Sequence, residues 1–373
     1  MTTQGEKIVK FAARVGQIEL SGIRRIFEAA GPDSINLGLG QPDFDTPQHI
    51  KDAAIRAICE GKTGYTPGTG IPELRDAISA KLKRENGIPY TPDDLIVTAG
   101  ASEALHIVLQ ALVEKGGRVL CPDPGFVSYL SLASLADGVP VSVPLTAGFH
   151  VDIEEAKNLM DGAKVFILNS PGNPTGAVES RESIKAIVEY ANDKGVTVVS
   201  DEVYEHFIYG KKHWSAAQFG DNVVTVNATS KTYAMTGWRL GYLAASPDIV
   251  TQCLKVHQYC QACATSISQY AALAAYEGDQ GPVAMMRDEY RVRRDIIVKG
   301  LSDLGFSFPV PEGAFYAFVP MGPAVIQKII DAGIIIVPGS AFGTRAPAYA
   351  RFSYATSRDN LHRALERIQK AVA

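Results

Sequence analysis

Nowhere in the 373 residues is there an apolar run near the ~18 to 20 residues that a membrane-spanning helix needs. The opening stretch, MTTQGEKIVKFAARVGQIELSGIRRIFEAAG, lacks the apolar core of a secretory signal. A cytoplasmic protein with no membrane partner is therefore expected. An excess of positive charge is also missing. The formal net charge is −4 and Lys and Arg are scattered, which leaves no basic face to release counterions from nucleic acid. Cysteine is scarce: five, an odd number spread through a long chain, do not make a disulfide framework. Cys260 and Cys263 form one C-x-x-C pair in YCQAC, with no second pair and no histidine cluster nearby. They read as small apolar side chains, and no metal is expected. Low-complexity tracts and internal repeats are absent, and 46 % hydrophobic with 20 % charged residues is ordinary for a folded protein. Single cores stop growing near ~250 to 300 residues, so this length predicts two lobes.

What is present is an alternation of short β-branched runs with longer helical patterns. LIVT (95–98) precedes ASEALHIVLQALVEK, RVLCP (118–122) precedes FVSYLSLASLA, and VSVPL (141–145) precedes DIEEAKNLM. KVFILN (164–169) precedes a loop and SIKAIVEYANDKG, whose Gly195 is a helix stop, and TVVSD (197–201) and NVVTVN (222–227) come next. Near-continuous apolar runs are what strands buried on both faces show. The pattern predicts an α/β fold, a mostly parallel sheet with helices on both sides. From Arg287 to Gly305 a long charged helix is expected, then FSFPV, GAFYAFV and GIIIVPG as closely spaced strands. That change of rhythm predicts a smaller α+β lobe drawn from both termini, residues 1–40 with 281–373, around a large domain of 41–280.

Open α/β sheets bind ligands beyond the carboxyl ends of their strands, so the residues just past each predicted strand test for a site. After LIVT comes AGASEA, small residues that open a helix and leave backbone N–H groups free for an anion. KVFILN leads into SPGNPTG, TVVS ends in Asp201, and NVVTVN leads into ATSK with Lys231. Taken singly, a turn, a helix cap and a solvated lysine would explain them. Their convergence on one edge is the signal. A lysine in a desolvated or cationic setting becomes nucleophilic enough to form a Schiff base. Arg239, eight residues on, supplies positive charge and suits a phosphate. An aldehyde carrying a phosphate fits this set, and pyridoxal phosphate is such a molecule.

The motifs SPGNPTG, SDEVYEHF, SKTYAMTGWRLGY and RFSYATS, in this order, resemble those of the class I/II aminotransferases, fold-type-I pyridoxal-phosphate enzymes of the aspartate aminotransferase kind. NLGLGQPDFDTP, GYTPGTGIPELRDAI and TAGASEAL are similar to that family as well, and the likeness runs from about Asn36 to Ser357. It implies a seven-stranded-type sheet and pyridoxal 5′-phosphate as cofactor. Lys231 resembles the lysine that holds the cofactor and carries the proton, and Asp201 the acid at the pyridine nitrogen. Tyr204 and Asn173 resemble the pair that bonds the phenolic oxygen, and Phe126 the aromatic stacked on the ring. The resemblance gives the phosphate to Gly100, Ala101, Ser102, Ser230 and Arg239, and to Tyr65 reaching a neighbouring subunit, which implies a homodimer with shared active sites. Arg351 resembles the grip on the substrate α-carboxylate, with Gly40 and Asn173 close by, and Tyr316 is a candidate for lining the pocket.

Two departures stand out. Ala228 occupies a position where many members carry a phosphate-binding serine, and Ser102 one where a bacterial-type aspartate aminotransferase subgroup has a lysine that helps hold the substrate's distal carboxylate. The expected activity is transfer of the amino group of an L-amino acid, aspartate or aromatic favoured, to a 2-oxo acid such as 2-oxoglutarate, by a ping-pong mechanism. Alternatives are a β-lyase, an aminocyclopropane-carboxylate-type synthase, or a non-catalytic ligand-binding regulator on the same scaffold.

Overall fold

The structure is a computed structural model and describes residues 11–18, 31 and 33–373. In chain order the strands are β1 (Ile35–Asn36), β2 (Leu95–Thr98), β3 (Arg118–Asp123), β4 (Val139–Pro144), β5 (Ala163–Asn169) and β6 (Thr197–Asp201). They continue as β7 (Val223–Ala228), β8 (Gly241–Ala244), β9 (Tyr316–Pro320), β10 (Ile334–Ile335), β11 (Val337–Pro338) and β12 (Tyr349–Ser353). β2 to β8 form a seven-stranded sheet in the order β2-β8-β7-β6-β5-β3-β4. Its pairs are parallel except those made by β8, which runs antiparallel to both neighbours.

Every residue of β2, β6, β7 and β8 is buried. Period-two alternation splits such strands between two cores. In β5, Val165 and Ile167 pack with Ala104, Leu105 and Val108 of the helix Ala101–Leu112. Phe166 and Leu168 point the other way, onto Ile184, Ile187 and Val188. Those three belong to the helix Arg181–Asp193, which starts where the Ser180 hydroxyl accepts the Ser183 N–H. It ends where Gly195 takes a left-handed φ of 66° and Val196 N–H bonds back to Ala191 O. A side chain at Gly195 would cost about 1–2 kcal/mol of backbone strain.

The second lobe is built on the antiparallel sheet β11-β12-β9, with β1 and β10 paired in parallel beside it. Residues near the start of the chain therefore share hydrogen bonds with the C-terminal part. Residues 1–10, 19–30 and 32 of the expected N-terminal contribution lie outside the described residues. The long helix spans Gly281–Asp303, starting almost two turns before the charged stretch suggests. FSFPV (306–310) is not a strand, since Pro309 and Pro311 remove ladder donors and the segment runs without a strand partner. GIIIVPG divides into β10 and β11, which serve different sheets.

Candidate active site

The carboxyl edge of the large sheet and one strand of the second lobe close around a cavity of about 240 Å³. β5 delivers Asn169 and the loop with Asn173, β6 ends in Asp201, and β7 leads into the short helix Thr229–Thr232 with Lys231. Asn169 and Asp201 are direct partners in the parallel ladder. β12 carries Arg351 in from the other side.

Lys231 is half-buried in this cavity, and its Nζ donates to the carbonyl of Gly40 at 2.6 Å. Burial first, and the positive Arg351 and Arg239 next, push its pKa down to about 8, while Asp201 opposes the shift. The neutral, nucleophilic amine is thereby accessible near neutral pH. Asp201 is 4 % exposed. Its Oδ2 accepts the Tyr129 hydroxyl at 2.7 Å and its Oδ1 a long bond from Val203 N–H at 3.4 Å. Burial raises its pKa to about 6 against the Tyr129 and Val203 hydrogen bonds, so the carboxylate is held near its limit and would be stabilised by a cation or N–H donor.

Arg351 is 2 % exposed and no salt-bridged carboxylate accompanies it among the described residues. Its Nη1 donates to Asn173 Oδ1 at 2.8 Å and its Nη2 to Gly38 O at 2.6 Å. Nε is buried without a partner. The guanidinium lies 4.4 Å from the ring centre of Tyr316 and 4.8 Å from that of Phe342. Burial pushes its pKa down from the usual guanidinium range, with the phenols of Tyr316 and Tyr204 working the other way. A buried cation whose neighbours are carbonyl oxygens and aromatic faces is a receptor for an anion from outside. Tyr204 and Tyr316 share a hydroxyl contact of 2.9 Å beside it.

A second anion cradle faces the same cavity. Gly100, at φ 80°, caps the helix Ala101–Leu112 with no side-chain partner, and the N–H groups of Ala101 and Ser102 find no acceptor among the described residues. Arg239 packs so close to Gly100 that a Cβ there would meet its Nη2. Arg239 itself holds a left-handed φ of 53°, and Nη1 bonds Thr236 O at 3.0 Å. Such a backbone in a non-glycine residue is kept where surroundings demand it.

The structure thus brings Gly40, Ala101, Ser102, Phe126, Asn173, Asp201, Tyr204, Ser230, Lys231, Arg239, Tyr316 and Arg351 to one cavity, with Gly100 packed against the Arg239 guanidinium that lines it. Ser230 is buried, Ser102 is exposed, and Ala228 offers no hydroxyl. Tyr65 is not brought in; it is 92 % exposed and lines no part of the cavity. Sequence reasoning missed Tyr129, Asn169 and Thr236, which also line it. Tyr129 had a readable signal, a second aromatic three residues after Phe126 in PGFVSY, and the two rings meet edge to face at 5.5 Å. Asn169 had one too, a polar residue closing an apolar strand.

Comparison with known proteins agrees with this geometry. Residues 32–368 match the family described as aminotransferase class I and II. A relative from Methanocaldococcus jannaschii named "Probable aspartate aminotransferase" is 47 % identical over 366 residues, covering 95 % of this chain and 97 % of its own. The Pyrococcus horikoshii protein named aspartate aminotransferase is 40 % identical over 378 residues, 97 % of each chain. Among solved structures, the Thermus thermophilus aspartate aminotransferase with maleate superposes with a TM-score of 0.94 at 36 % identity, covering 98 % of this chain and 100 % of that one. The aromatic aminotransferase of Pyrococcus horikoshii superposes at 0.87 with 40 % identity, over 93 % and 98 %.

Proposed function

The chain belongs to the class I and II aminotransferases, and from that membership we propose that it uses pyridoxal 5′-phosphate to pass the amino group of an L-amino acid to a 2-oxo acid in two alternating half-reactions. Three demands of that cofactor are met by residues of the cavity: an amine for its aldehyde, an acid for its ring nitrogen, and an uncapped helix end with an arginine for its phosphate. When bound, the cofactor supplies the aldehyde and an electron-withdrawing ring that makes the substrate's α-hydrogen acidic.

The chain's own residues supply the rest. Lys231 would hold the cofactor by its aldehyde, and as a free amine would move the proton at the substrate's α-carbon. Asp201, fixed by Tyr129, keeps the ring nitrogen protonated. Asn173 spends its oxygen on Arg351, which leaves its amide N–H groups for the phenolic oxygen beside Tyr204. Phe126 covers the ring. Gly100, Ala101, Ser102, Ser230 and Arg239 take the phosphate. Arg351 grips the α-carboxylate next to Gly40. Tyr65, exposed in a single chain, is assigned to the phosphate of a second copy, which makes the working unit a homodimer in the cytoplasm. The lobes are assigned as residues 41–280 and as 1–40 with 281–373. Aspartate is the favoured donor, on the names of the relatives, with aromatic amino acids next and 2-oxoglutarate as acceptor.

The observation that carries this reading is Arg351, a buried guanidinium with no salt-bridged carboxylate among the described residues, in the cavity that holds Lys231. The test is a single half-reaction. Holoenzyme given aspartate alone should release one 2-oxo acid per site and convert its cofactor to pyridoxamine phosphate. No pyridoxamine phosphate from aspartate, with ammonia and pyruvate released from β-chloroalanine as chloride departs and the cofactor unchanged, would replace transamination by elimination.

A further inference from the structure

Asp123 ends β3, three residues before Phe126, and has no part in holding cofactor or substrate. It is 3 % exposed, yet no cation pairs with it among the described residues. Its carboxylate instead collects donors. Oδ2 accepts Ser142 Oγ at 2.8 Å, Thr344 Oγ1 at 2.9 Å and Thr344 N–H at 3.1 Å, and Oδ1 accepts Arg345 N–H at 3.1 Å. Three of these four donors come from the loop that joins β11 to β12 in the second lobe. Gly343 in that loop has φ 140°, and a Cβ on it would run into Asp123 Oδ1, so the loop closes on the carboxylate. Two residues past Asp123, Gly125 N–H donates to Phe342 O at 2.8 Å. Phe342 is 2 % exposed, and its ring lies against the Arg351 guanidinium.

From this arrangement we propose that Asp123 is a positioning residue for substrate recognition: it pins the Phe342–Arg345 loop so that the Phe342 ring holds Arg351 in place for the incoming carboxylate. One tripeptide, Asp123 to Gly125, thereby ties the strand end leading to Phe126 to the loop supporting Arg351. Among the described residues the guanidinium makes two hydrogen bonds of its own, and the other contacts around it are aromatic. A loop released by a fraction of an ångström would leave it charged and buried but misaimed. Misplacement of a binding group by ~1 Å can lower productive encounter by roughly a hundredfold.

The inference rests on the assignment of Arg351 to the α-carboxylate, and the experiment separates the two. Holoenzyme carrying Asp123→Asn, Phe342→Leu or both is titrated with an α-methylated amino-acid donor, which binds but has no α-hydrogen to lose. Asn puts an N–H where the loop presents N–H groups, and affinity for this probe should fall about tenfold or more. Cofactor retention should stay within about twofold, since no phosphate or ring contact is touched. The double variant should be no worse than the worse single one, because both act through one ring. Thr344→Val, which deletes a single hydroxyl bond, gives a smaller loss in the same direction and serves if Asp123→Asn does not fold. Unchanged probe affinity in Asp123→Asn, or equal losses of probe and cofactor, overturns the pinning role. If Arg351→Met also leaves probe affinity unchanged, the carboxylate assignment fails first.

Discussion

Replacing Tyr129 by Phe removes one hydroxyl from a fully buried pair and should retune the acid on which the electron sink depends. The Tyr129 hydroxyl bonds Asp201 at 2.7 Å, and among the described residues the other Asp201 oxygen has only a 3.4 Å contact. A hydrogen bond to a charged group is worth about 1.5–3 kcal/mol, and one pKa step is about 1.4 kcal/mol, so its loss should raise the Asp201 pKa by about one to two units. Starting from about 6, the midpoint would move to about 7–8. At pH 7 the carboxylate now outnumbers the acid by about ten to one, and in the variant the two would be near parity or the acid would lead. Infrared difference spectra of cofactor-free protein, labelled with carbon-13 aspartate, read the carboxyl stretch against pH. Cofactor affinity at pH 7 should fall in step, and Tyr129→His, which restores a donor, should recover much of both. An Asp201 midpoint in Tyr129→Phe that matches the parent protein would refute the reasoning.

Three other perturbations probe the same cavity. Because only the neutral amine attacks an aldehyde, capture of pyridoxal phosphate by cofactor-free protein should speed up as pH rises to about 8 and then level; a stopped-flow rate that keeps climbing to the range of a free lysine would contradict the lowered pKa. Arg351→Met should raise the donor KM by roughly a hundredfold or more, the usual effect of deleting one partner of a buried charge pair, with cofactor retained; steady-state kinetics on aspartate decide it. Gly40→Ala would drive a methyl group into the Tyr316 hydroxyl, so a loss of about 1–3 kcal/mol in stability is expected, together with weaker donor binding; thermal melts and KM measure the two.

Much of the large domain can be read from the chain because strands buried on both faces write themselves as unbroken apolar runs. LIVT and TVVSD coincide with β2 and β6 residue for residue. β8 leaves no such mark. GYLA is short and comes directly after a site loop, and its antiparallel direction is set by ladder partners far away in sequence. FSFPV carries an apolar strand-like pattern, but Pro309 within it and Pro311 just after it decide against it. The site residues are legible where chemistry forces an odd residue onto a strand end, as with Asp201 and Lys231. Tyr129 and Asn169 leave only a faint mark, because a tyrosine on a helix and an asparagine before a loop are ordinary until their hydrogen-bond partners are known. Asp123 is the extreme case, since three of its four donors come from a loop some 220 positions later.

The ribbon from Gly38 to Gly40 engages both ends of the chemistry: one carbonyl takes Arg351 and the other takes Lys231, each at 2.6 Å. Two residues of extended backbone reach no more than about 7 Å. That ribbon therefore caps how far apart the grips of the guanidinium and the amine can lie. An acid group on the atom next to the one bearing nitrogen falls well within that span. Homologues such as β-alanine or 4-aminobutyrate, whose nitrogen sits further along, should bind by their acid end and present the wrong carbon–hydrogen bond to the lysine.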